Sequence, residues 1–144
     1  MRFWDSSAIV PLVCREVASG RCRGWLRADP VVVVWALAAT EVVSALARKR
    51  REGALPAGAF REAKRRLGNL ETAWHEVAQV EAVRARARRL LESHPLRAAD
   101  TLHLAAALVA FEEQTSGVEF VTFDERLAAA ARKEGFEVLG SGEL

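Results

Sequence analysis

The chain has 144 residues, of which 51% are hydrophobic and 28% charged, with a net charge of +2. That is enough apolar material for one core, so a single domain over residues 1–144 is expected. The opening Met1 to Val10 holds an acid in too short an apolar run for a signal peptide, and no apolar stretch of about 18 residues offers a membrane span, so the expected location is cytoplasmic.

Strands and helices alternate along the chain. Arg2 to Trp4 reads as a first strand and Ser6 to Glu16 as a helix, with Pro11 placed early enough for its missing N–H to cost little. Ala18 to Ala28 reads as a second, short helix. After the Asp29-Pro30 break, the β-branched run Val31 to Val34 fits a strand buried on both faces. Ala38 to Glu52 is a patterned helix closed by Gly53.

Pro56 opens a helix to about Leu70, and His75 to Val80 alternates loosely as a third strand. Glu81 to Ser93 is a basic helix that His94-Pro95 terminates. The most apolar helix runs from Arg97 or Ala98 to Glu113, followed by a strand at Glu119 to Thr122. Asp124 opens a helix to Lys133, and Phe136 to Leu139 is the last strand. Cys14 and Cys22 have neither CxxC spacing nor a neighbouring histidine, which speaks against a zinc or redox site.

This order places four acids together. Asp5 and Asp124 follow strands, while Glu41 and Asp100 lie near the starts of helices. The carboxyl ends of strands in a parallel α/β sheet share one edge, so all four can converge there. Such a cluster calls for divalent metal and suggests phosphodiester cleavage. Each acid alone also has a plain structural role: Asp5 and Asp124 as helix N-caps, Asp100 as a first-turn acid, Glu41 as half of an ion pair. Glu41 and Asp100 resist that role better. Glu41 sits among apolar neighbours with Arg48 as the nearest cation of its helix, and only Arg97 adjoins Asp100.

Charge is unevenly distributed. Residues 45–97 carry 13 Lys and Arg against six Glu, an excess of +7, which leaves −5 elsewhere. A basic flank beside an acidic site suits a polyanion, with Arg48, Arg50, Arg51 and Arg97 as candidate nucleic-acid contacts; a solvated helix end is the plainer reading of the RKRR run.

Four motifs carry a family resemblance: Phe3-Trp4-Asp5-Ser6-Ser7-Ala8-Ile9-Val10, Thr40-Glu41, Leu96-Arg97-Ala98-Ala99-Asp100-Thr101-Leu102-His103, and Phe120-Val121-Thr122-Phe123-Asp124-Glu125-Arg126-Leu127. Over essentially the whole chain the sequence resembles PIN-domain ribonucleases, VapC toxins of VapBC toxin-antitoxin pairs in particular. The resemblance implies a three-layer α/β/α sandwich around a parallel sheet of four to five strands. It also implies an endoribonuclease dependent on Mg²⁺ or Mn²⁺, with one or two ions held by Asp5, Glu41, Asp100 and Asp124. A set of oxygen donors without a His or Cys cluster favours these hard cations over zinc. Ser6, Ser7 and Thr122 are candidates to orient carboxylates or water through their hydroxyls.

Further expectations follow from the resemblance: a homodimer, and a VapB-like antitoxin whose arginine pairs with the acids. A PIN nuclease of RNA processing and a non-catalytic nucleic-acid binder are the alternatives. His103 is read as a packing residue or hydrogen-bond partner of the site rather than a general acid. Trp4 and Trp35 adjoin strands and read as core, leaving Trp25 and Trp74 open to base stacking.

Overall fold

The computed structural model describes residues 1–141. Its strands are β1 (Arg2–Trp4), β2 (Val32–Trp35), β3 (His75–Val77), β4 (Glu119–Thr122) and β5 (Glu137–Gly140). They form one parallel sheet in the order β3-β2-β1-β4-β5. The chain builds outward from β1 to β3, then returns to the other side of β1 with β4. A crevice opens at such a reversal, beyond the carboxyl ends of the strands.

Seven helices cover the sheet: α1 (Ser6–Val13), α2 (Ser19–Ala28), α3 (Ala38–Arg51), α4 (Ala57–Ala73), α5 (Val80–Ser93), α6 (Ala98–Ala110) and α7 (Glu125–Lys133). Because strand side chains alternate, the sheet feeds two cores. Trp4, Val32, Val34 and Val121 pack with residues of α1 to α4, such as Ile9, Val42, Leu46 and Phe60. Phe3, Val33, Trp35 and Phe120 face the other way, onto Val83 and Leu90 of α5, Leu104 of α6 and Leu127 of α7. The expected three-layer sandwich is therefore present, with five strands.

Local differences have physical causes. α1 ends at Val13 rather than Glu16, where the Ser19 hydroxyl donates to the Cys14 carbonyl and accepts from the Glu16 N–H. Pro11 lies past the first turn, so it forgoes the helical bond to the Ser7 carbonyl. β3 stops at Val77 and α5 already begins at the exposed Val80, whose apolar side chain mimicked a strand position. α6 ends at Ala110, because Glu112 and Glu113 take left-handed φ values of 51° and 65°. No described helix is long and apolar enough to cross a membrane. Cys14 and Cys22 are buried and unpaired, and burial raises both thiol pKa values, that of Cys22 to about 11.

Candidate active site

Asp5 is the centre of the site. It leaves β1 in extended conformation and caps α1 by accepting from the Ser7 N–H at 2.9 Å. Its side chain is buried, a costly place for a carboxylate unless its oxygens find donors. Ser7 Oγ donates to Asp5 Oδ2 at 2.7 Å, Thr122 Oγ donates to the same oxygen, and Ser6 Oγ reaches Oδ1 at 3.3 Å. Three hydroxyls, those of Ser6, Ser7 and Thr122, thus surround the carboxylate.

The same hydroxyls tie β4 to β1. Ser7 Oγ accepts from the Phe123 N–H at 2.9 Å, and Thr122 Oγ accepts from the Asp124 N–H at 3.0 Å. Asp124 in turn caps α7 through the Leu127 N–H at 2.8 Å. Asp5 and Asp124 are both N-caps, and this role leaves their positions at the carboxyl edge of the sheet unchanged.

Glu41 stands in the first turn of α3 and faces Asp5 across the crevice. Ser6 Oγ bridges the two carboxylates, reaching Glu41 Oε1 at 3.0 Å. His103 Nε2 lies 3.0 Å from both Glu41 oxygens, and since a carboxylate only accepts, Nε2 carries the proton. The partner that the Glu41 charge needs comes from outside its own helix, from α6, 62 residues away. Burial opposes the Glu41 charge, but His103 and Ser6 outweigh it and hold the carboxyl below its ordinary value. Burial likewise opposes the imidazolium of His103, yet Glu41, with Asp5 and Asp100 beyond it, holds its pKa above the ordinary value. Among the described residues His103 Nδ1 has no partner, so only one side of the ring is braced.

Asp100 lies in the first turn of α6, with Arg97 Nε 3.5 Å from its Oδ2. Its pKa is raised, first by burial and then by the charges of Asp124 and Asp5, against the pull of Arg97. All four acids line a single open depression, together with Ser6, Ser7, Glu16, Ser44, Arg48, Lys49 and Arg97. Its donor set is all oxygen, the preference of hard divalent cations. Among the described residues no three His, Cys, Asp or Glu side chains are already arranged as ligands.

The candidate RNA contacts divide. Arg48 and Arg97 border the depression. Arg50 lies instead over the Phe60 ring at 5.0 Å, and Arg51 is exposed at the end of α3, outside the lining. Among the lining residues that escaped the sequence reading are Glu16 and Lys49, paired at 2.7 Å. Their spacing of 33 residues gives no local signal. Trp4 and Trp35 are core, as expected, and Trp74 is also buried, its indole N–H donating to Glu76 at 3.2 Å.

A PIN domain family model matches residues 2–133. The chain belongs to the PIN-domain family. It is 29% identical over 136 residues to Ribonuclease VapC45 and to Ribonuclease VapC49, from two strains of Mycobacterium tuberculosis, covering 94% of this chain and 92% of each relative. The crystal structure of FitAcB from Neisseria gonorrhoeae superposes with a TM-score of 0.67 at 17% identity, over the full length of both chains. At that identity the likeness speaks for the PIN fold alone.

Proposed function

We propose that this PIN domain is a divalent-metal-dependent endoribonuclease, the toxin of a toxin-antitoxin pair acting in the cytoplasm. One observation carries the reading: four acids from four separate elements line one depression at the carboxyl edge of the sheet. Its likeness to relatives named ribonucleases, over nearly the whole chain, supports RNA as the substrate.

In this reading Asp5, Glu41, Asp100 and Asp124 hold one or two Mg²⁺ or Mn²⁺ ions. Bound there, the cation supplies Lewis acidity that lowers the pKa of water and offsets charge on the phosphate. The protein's own contribution is orientation. Ser7 and Thr122 fix Asp5, while His103 and Ser6 fix Glu41. Arg48 and Arg97 flank the acids and are placed to hold neighbouring phosphates.

The partners follow from the same chemistry. An antitoxin arginine would satisfy the carboxylates in place of metal, and a homodimer would set two such depressions on one RNA. Expression in a bacterial host tests the toxin reading. Growth should arrest and new RNA ends should appear, and co-expression of the gene adjoining this one should relieve both effects. Normal growth with intact RNA, from folded and abundant protein, contradicts it.

A further inference from the structure

We propose that Phe123 and Trp25, with Arg21 over them, form a shelf on which the nucleobase beside the cleaved phosphate stacks. The proposal rests on the ribonuclease reading and deepens it, naming an unpaired base as the feature recognised.

Phe123 stands between Thr122 and Asp124 and lines a second depression with Glu125 and Arg126, which shares Arg97, Asp100 and Asp124 with the first. Its N–H is held by Ser7 Oγ, the hydroxyl that also donates to Asp5, so the ring and the buried acid share one anchor. Trp25, from the last turn of α2, lies with its ring centroid 6.0 Å from that of Phe123, at an interplanar angle of 31°. The Arg21 guanidinium, one turn earlier, sits 5.8 Å from the Trp25 centroid and 5.4 Å from that of Phe123.

The platform is supported from below. Gly140 has φ +110°, and a Cβ there would lie 3.3 Å from Phe123 Cε1 and 2.3 Å from the Thr122 carbonyl oxygen. Absence of that atom lets the ring rest against the end of β5. The other three tryptophans are buried, whereas Trp25 and Phe123 are half-buried. Among the described residues, exposed Arg21 pairs with no carboxylate, leaving its charge for RNA.

Aromatic faces accept any base, and a planar guanidinium both stacks and binds phosphate. A base paired in a duplex has no free face to offer, so the shelf selects single-stranded RNA.

The test uses tryptophan fluorescence, since Trp4, Trp35 and Trp74 are shielded. Wild type, Trp25→Phe, Trp25→Ala and Arg21→Ala are titrated with a short oligoadenylate and with an abasic ribose-phosphate of equal length, in Ca²⁺. The shelf predicts quenching by oligoadenylate in wild type, normal affinity without quenching in Trp25→Phe, and roughly tenfold weaker binding in Trp25→Ala, the fold-change of one lost stacking contact. Binding should also weaken in Arg21→Ala, an exposed substitution that spares the fold. Equal affinity for both oligomers without quenching in wild type overturns the shelf, as does unchanged affinity in Arg21→Ala and Trp25→Ala together. Cleavage of cellular RNA by wild type in Mn²⁺ is scored in parallel. Its failure counts against the ribonuclease reading, while failure of the fluorescence and affinity criteria counts against the shelf.

Discussion

His103 Nε2 lies 3.0 Å from each carboxylate oxygen of Glu41, joining α6 to α3 across the floor of the acidic depression. The ring is 1% exposed and the carboxylate 32%, so the pair is shielded on one side and wet on the other. Each partner stabilises the charged form of the other.

That coupling gives the metal-free protein a defined pH dependence. The folded pKa of Glu41 is depressed, so its contribution is present above the ordinary 4.5 and fades as pH falls through the folded value. The folded pKa of His103 is raised, so its contribution is full below the ordinary 6.5 and is lost as pH rises through the folded value. The difference in Tm between wild type and His103→Gln, measured in EDTA, should peak between pH 4.5 and 6.5 and shrink on both sides. A difference that stays flat when the pH is carried well below 4.5 and well above 6.5 would show that the pair is not ionised.

Asp100 should trade stability for activity. Its raised pKa means that the folded state binds the proton more tightly, so stability drains away as pH rises from the ordinary 3.8 through the folded value. At neutral pH Asp100→Asn removes the repulsion from Asp124 and Asp5 and should melt, without metal, at the same temperature as wild type or higher. Cleavage should fall by more than the roughly 10–100-fold typical of a residue that only orients a ligand. Calorimetry and RNA cleavage on the same samples check both halves.

Ser7 organises two elements through one hydroxyl. Ser7→Ala removes the donor to Asp5 and strands the Phe123 N–H, at a cost of about 1–3 kcal/mol. Urea unfolding reads the loss, and Mn²⁺ titration should show affinity weakened roughly 10–100-fold. A variant as stable as wild type would mean that water replaces the hydroxyl.

Gly140→Ala should damage the site from a distance. Its φ of +110° and the 2.3 Å approach to the Thr122 carbonyl leave no room for a Cβ. Backbone strain alone costs about 1–3 kcal/mol, readable by denaturation, and movement of Thr122 should weaken its bond to Asp5. The loss in cleavage should therefore exceed what partial unfolding explains.

Much of this was legible in the sequence because it is local. The β-branched run before Trp35 announces a strand buried on both faces, and an acid after a strand marks the carboxyl edge of a parallel sheet. Apolar neighbours around Glu41 and Asp100 set them apart from ordinary surface acids. The rest depends on contacts between distant segments: Glu41 with His103, Glu16 with Lys49, Trp25 with Phe123. Nothing within one turn of helix signals those pairs. The left-handed Glu112 and Glu113 escaped for another reason, since glutamate is a good helix former and only the fold forces it out of the helix.

The central claim is that the four acids form one metal-dependent RNA-cutting site, and the initial rate of RNA cleavage across an Mn²⁺ titration tests it most directly. Wild type should show no cleavage in EDTA, a saturable rise with Mn²⁺, and full recovery when metal is restored. Folded Asp5→Asn should show no rate at any Mn²⁺ concentration. Cleavage that survives EDTA, or an Asp5→Asn rate equal to that of wild type, would contradict the account.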